Sequence, residues 1–205
     1  MLRISVLVSG GGTNLQAVID AVESGQIQGA EIGCILASKA GVFALKRGEQ
    51  HGIPTRVIGK EQFPATSMRT KALLDALEEA ETDLVVLAGY MSVLEPELIQ
   101  AYGGRIINIH PSLIPQYCGK GFYGQRVHEA VLAAGEKESG ATVHFVDEGV
   151  DTGPIILQRK VPVLAGDTTD TLAARVLAVE HQILAEAIQQ VLPTLSLKRG
   201  SLKGK

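Results

Sequence analysis

The sequence predicts an α/β fold with a doubly wound, mostly parallel sheet, and three observations carry that expectation. Short apolar runs rich in Val and Ile recur at 2–8, 31–37, 54–58, 83–88 and 105–109, too continuous for strands with one wet face. Between them, 14–24, 41–51 and 67–80 place apolar residues three and four apart, as Leu73, Leu74, Leu77 and Ala80 do. Alternation of the two kinds of segment is the pattern of parallel strands joined by crossover helices, a Rossmann-like arrangement.

Taken in order, the run 2–8 meets Ser9 and Gly10 too soon to span a membrane and lacks a signal-peptide cleavage pattern, so it reads as a buried strand. After residue 109 the style changes to a Pro- and Gly-rich stretch reaching Gly121, then a short helix near 124–134. Segments 140–147 and 154–163 are extended and should pair as an antiparallel addition to the sheet. From Thr168 to Gln190 a long helix closes the chain, with Thr168 or Thr169 as cap and Leu172, Val176, Val179, Ile183, Leu184 and Ile188 on one face. From Pro193 onward a loose tail is expected. The expected organisation is therefore one domain over 1–192 and a tail over 193–205, within the size one core supports.

Charge and cysteine content narrow the function. The 19 basic and 22 acidic residues give a net charge of −3, and the basic residues cluster only in the tail, at Lys198, Arg199, Lys203 and Lys205. That balance argues against a nucleic-acid footprint. Cys34 and Cys118 are too few for a disulfide framework and lack metal-ligand spacing, which fits a reducing cytoplasm and a chain with no metal site. His110, His128, His144 and His181 are scattered, and packing or local hydrogen bonding suits His144 and His181. Monomer and homodimer are both compatible with the sequence.

Two segments carry chemistry. Ser9-Gly10-Gly11-Gly12-Thr13-Asn14 joins a strand to a helix, so its amides and the helix N-terminus face outward together, a geometry that binds phosphate. A tight turn capped by Thr13 or Asn14 fits the same residues. Leu15 stands where a dinucleotide fingerprint needs its third glycine, and no Gly-Lys-Thr follows, which points to a monophosphate ligand over NAD or a triphosphate. In the second segment, Asn108 and His110 leave a strand on one side with Ile109 between them, and a converging pair of N–H donors suits an oxyanion. A capped strand end is the alternative. Asp151, in the turn Asp151-Thr152-Gly153-Pro154, can either reach His110, raise its pKa and relay a proton, or simply make a turn.

Together these segments resemble the folate-dependent formyltransferase family, through Asn108-Ile109-His110-Pro111-Ser112-Leu113-Ile114-Pro115, then Gly140-Ala141-Thr142-Val143-His144-Phe145-Val146, then Asp151-Thr152-Gly153-Pro154. The resemblance runs to about Glu180, and the opening turn resembles the branch that formylates glycinamide ribonucleotide. It implies Asn108, His110 and Asp151 as the catalytic trio, Gly12, Thr13 and Asn14 on the ribosyl phosphate, and Glu180 on the ribose. It implies Tyr90, Met91, Ser92, Val93 and Leu94 on one side of the pterin of 10-formyltetrahydrofolate, the co-substrate, with Asn108 nearby. Val146, Asp147, Glu148, Gly149, Val150 and Asp151 close the other side. The phosphoribosyl substrate would occupy a half over about 1–100, and the folate a half over about 84–165. Ser92 and Thr66 replace basic residues of the family pattern, with Arg69 a substitute one turn on, and Cys118 replaces a proline. Formyltetrahydrofolate hydrolysis and a non-catalytic phosphometabolite-binding role remain the alternatives.

Overall fold

The computed structural model describes residues 1–202, with side chains through Ser196. Seven strands form one sheet in the order β3-β2-β1-β4-β5-β6-β7. They are β1 (Leu2–Val8), β2 (Ala30–Ala37), β3 (Thr55–Val57), β4 (Leu84–Leu87), β5 (Ile106–His110), β6 (Glu138–Phe145) and β7 (Ile155–Pro162). The first five pair in parallel; β6 runs antiparallel to β5 and β7 to β6. Chain direction along the sheet reverses between β1 and β4, which creates the crevice where doubly wound sheets bind ligands.

Side-chain alternation sorts the strands between two apolar layers. Ile4, Val6 and Val8 of β1, with Val86 of β4 and Ile107 and Ile109 of β5, pack beneath α1 (Thr13–Glu23) and the closing helix, α6 (Thr169–Leu202). Leu7, Leu36, Val85, Leu87 and Ile106 point the other way, onto α3 (Thr66–Glu79) and α4 (Pro96–Ala101). Burial on both faces is why these strands read as unbroken apolar runs. Each fully buried Leu or Ile contributes roughly 1.5–3 kcal/mol. The remaining helices are α2 (Phe43–Gln50) and α5 (Gln125–Ala133).

Two features depart from the sequence reading. Helix α4 was not anticipated: six residues are too few for periodicity to show, although an extended Glu95 before Pro96 and Glu97 in the first turn form a start signal. Helix α6 does not stop at Pro193 but continues to Leu202. A proline inside a helix costs about 3 kcal/mol, yet Val191, Leu192 and Leu195 are all buried, so the apolar face persists across it and packing prevails. The cations Lys198, Arg199, Lys203 and Lys205 lie outside the described side chains. At its start α6 is capped as expected by Thr168, whose Oγ1 accepts from the Thr171 amide at 3.3 Å. Among the described residues no helix is long and apolar enough to cross a membrane.

Candidate active site

The carboxyl ends of β1, β4 and β5 open into one cleft of about 670 Å³. Its walls come from the segment after β4, the exit of β5, the loop 119–125, the loop 146–151 and one side of α6. On α6, Ala173, Leu177 and Glu180 are spaced by four and three residues, so they share a stripe facing the cleft. Ser9 holds the rim together: its Oγ accepts from the Met91 amide at 2.8 Å and from Ser38 Oγ at 2.7 Å.

Gly12 shapes the turn after β1. It has φ 71° and caps α1 with no side-chain bond, which excludes the reading of Thr13 or Asn14 as the cap. An added Cβ would sit 2.7 Å from the Ala44 Cβ on α2, so the residue must lack a side chain for space as well as for conformation. The first amides of α1 meet no capping side chain and keep their anion-binding capacity. Asn14 turns inward and its Nδ2 donates to Glu180 Oε2 at 2.6 Å. Both residues are buried and line the cleft. Burial pushes the Glu180 carboxyl up, against the lowering effect of the Asn14 bond. Thr13 does not line the cleft; it opens onto a separate shallow depression with Gln16 and Arg47.

Asn108 and His110 leave β5 on the face of Ile106, as their spacing predicts, and Asp151 meets both. The carboxylate is 3.7 Å from His110 Nδ1, accepts from Asn108 Nδ2 at 3.5 Å, and accepts from the Gly119 amide at 2.9 Å. Asp151 has φ 58°, a left-handed conformation that Asp tolerates better than most residues. Gly153 lets the loop close on itself, since a Cβ there would collide with the Phe145 carbonyl. His110 Nε2 lies 2.9 Å from the Tyr117 carbonyl, an acceptor only, so Nε2 carries the proton and Nδ1 faces the carboxylate.

The electrostatics correct one expectation. Burial lowers the His110 pKa and outweighs the Tyr117 bond and the Asp151 charge, so the resting imidazole is neutral at pH 7 instead of cationic. Burial alone would raise the Asp151 carboxyl, but the adjoining His144 and His110 rings and the Gly119 amide together hold it below the usual carboxylate range.

His144 belongs to this cluster, which its sequence context did not suggest. Its Nδ1 donates to the Phe145 carbonyl at 2.8 Å, the local bond expected of it. Its Nε2 accepts from Asn108 Nδ2 at 3.2 Å and lies 3.6 Å from Asp151. Only the pairing of β6 against β5, which sets His144 opposite Asn108, brings it there.

The predicted pterin segments face each other across the cleft. Tyr90, Met91, Ser92, Val93 and Leu94 line one side and Val146 to Asp151 the other. Met91 and Val93 are exposed and leave apolar surface open on the cleft wall. Arg69 does not join them. Its guanidinium donates to the Phe63 and Pro64 carbonyls and to Thr66 Oγ1, and the cation on the cleft wall is Lys120. Burial and the nearby Asp151 charge both raise the Cys118 thiol, which disfavours a reactive thiolate. No group of three or more His, Cys, Asp or Glu among the described residues is arranged to hold a metal ion.

A part-buried carboxylate, two buried imidazoles and an amide at the crevice of a doubly wound sheet mark an enzyme of the α/β class. The family model described as formyl transferase matches residues 2–188, and the chain belongs to that family. It is 44% identical to the phosphoribosylglycinamide formyltransferase of Haemophilus influenzae over 89% of this chain and 84% of that protein. It is 42% identical to the chloroplastic phosphoribosylglycinamide formyltransferase of Vigna unguiculata over 91% of this chain and 60% of that protein. The chain spans between 13% and 60% of the length of the first curated relatives it matches. Among solved structures, glycinamide ribonucleotide transformylase 1 from Symbiobacterium toebii superposes with a TM-score of 0.86 at 41% identity, covering 92% of this chain and 86% of that one.

Proposed function

We propose that the protein transfers the formyl group of 10-formyltetrahydrofolate to the amine of glycinamide ribonucleotide, a step of de novo purine synthesis in the cytoplasm. The observation that carries this reading is the continuity of one cleft from the Asn14–Glu180 pair to the cluster of Asn108, His110 and Asp151. The amides of Gly12, Thr13 and Asn14 would hold the ribosyl phosphate and Glu180 the ribose hydroxyls. The pterin would lie between the 90–94 and 146–151 walls.

The amine nitrogen adds to the formyl carbon, and the carbonyl electron pair moves onto oxygen. Asn108 can turn one amide N–H from its long bond with Asp151 to that oxygen, and loss of one such donor typically costs about 10² to 10³ in rate. Asp151 accepts the proton the amine sheds, directly or through water, and the neutral Nδ1 of His110 beside it takes the proton on. The imidazolium so formed stabilises the oxyanion, then returns its proton to the folate nitrogen as the carbon–nitrogen bond to folate breaks and the carbonyl re-forms. No covalent enzyme intermediate is needed.

Mixing the protein with 10-formyltetrahydrofolate, with and without glycinamide ribonucleotide, tests the reading through release of tetrahydrofolate. Release that requires the amine supports it. Release without the amine would identify a hydrolase, and binding without release a non-catalytic phosphometabolite-binding protein.

A further inference from the structure

Helix α5 lends Gln125 and His128 to the cleft wall, and of the two only His128 is buried. His128 is 4% exposed, lines the cleft, and has no hydrogen-bond partner on either ring nitrogen among the described residues. Its Nδ1 is wholly enclosed. A proton there would be a buried donor without an acceptor. The neutral ring therefore carries its proton on Nε2, the nitrogen left to meet a ligand.

The neighbouring donors are already engaged. His110 donates Nε2–H to the Tyr117 carbonyl, and Asn108 divides its amide hydrogens between His144 and Asp151. His128 stands close enough to His110 to feel its charge, which places the two rings at the same end of the cleft. A buried imidazole left without a partner beside a satisfied cluster is placed for a ligand atom, since packing alone would favour an apolar residue.

We infer that His128 is a further catalytic residue, directing Nε2–H at the formyl oxygen of the bound donor, where negative charge gathers as the amine adds. This assignment rests on the formyl-transfer reading above. It adds a fixed donor to the oxyanion site, where Asn108 must first leave its bond with Asp151 and His110 becomes cationic only as the reaction proceeds.

Two variants of the full chain test it. Leu at this position keeps helix propensity and bulk but removes the donor; Gln places an amide N–H near the position of Nε2. His128→Leu should lower kcat by about 10²-fold, leave KM for the amine substrate within about 3-fold, and melt at or above the wild-type temperature. His128→Gln should recover at least about tenfold of that loss. A Leu variant with wild-type kcat overturns the inference, as do two variants that are equally slow and melt lower, the outcome for a packing residue. A separate readout does not depend on turnover: in 15N-histidine spectra, adding a non-transferable 10-acyl folate without the amine should shift the His128 Nε2–H resonance. A shift in a protein that never formylates glycinamide ribonucleotide sinks the transfer reading and leaves the donor contact standing. Transfer without a shift sinks the contact.

Discussion

The glycine turn, which reaches the cleft through Asn14, and the cluster inside the cleft are built by opposite means. The glycine turn is contiguous in sequence, made of backbone amides, and shaped by the absence of a side chain at Gly12. The carboxylate–imidazole cluster draws Asn108, His144 and Asp151 from β5, β6 and the loop beyond, and consists of side chains that hold one another. A backbone site should tolerate changes of side chain and fail when the backbone moves. A side-chain network should keep its shape when an atom is exchanged and fail in its chemistry.

Substitutions sharpen that contrast, starting with the largest effect. Asp151→Asn preserves shape but removes the proposed proton acceptor, and should cut turnover about 10³-fold with both KM values within a few-fold. Near-normal steady-state turnover would remove Asp151 from the chemistry. Gly12→Ala should act through binding: the clash with Ala44 and the left-handed φ predict roughly a 10²-fold rise in KM for the phosphorylated substrate and about 2 kcal/mol lost in urea unfolding. If kcat falls instead of KM rising, the turn and the cluster are not separable as described.

Glu180→Gln sits between these cases. It should raise KM for the amine substrate about tenfold, since one acceptor for the ribose remains. Its effect on stability has a definite sign. The folded carboxyl is raised above its ordinary 4.5, so the unfolded chain ionises first and stability falls as pH climbs from 4.5 to the raised value. Gln escapes that loss, so the variant should melt higher than wild type at pH 7.5 and show no such gain at pH 4. Equal melting at both would show that burial of Glu180 carries no penalty. The next effect is a displacement and not a loss. If His110 is the neutral base proposed above, its depressed pKa puts the midpoint of the acid limb of kcat against pH below 6.5. A midpoint above 6.5 would mean that Asp151 outweighs burial. Smallest of all, Thr13→Ala should change KM by less than about 3-fold, because Thr13 lies off the cleft wall and its amide survives the substitution.

How much of this was legible beforehand follows the same division. Strands buried on both faces announce themselves as apolar runs, and β1, β2, β4 and β5 were found to within a residue or so. The glycine turn was legible because its residues are adjacent. Asn108 and His110 were legible as a pair because a strand places alternate residues on one side. His144 was not, since its partner is fixed by the register of β6 on β5, which no local pattern encodes. His128 was hidden for another reason: on a short helix a buried histidine looks like packing, and only the missing hydrogen-bond partner sets it apart. The net direction of the His110 pKa was likewise out of reach, because it turns on burial, a property of the whole fold.

The neck of the 146–154 loop makes the acid's position vulnerable from a distance. At Gly153 even a methyl group would press on the Phe145 carbonyl, and backbone two residues from Asp151 would have to shift to relieve the pressure. A single added carbon that alters no charge would thus bear on the carboxylate's position through the backbone, a mechanical lesion in place of a chemical one.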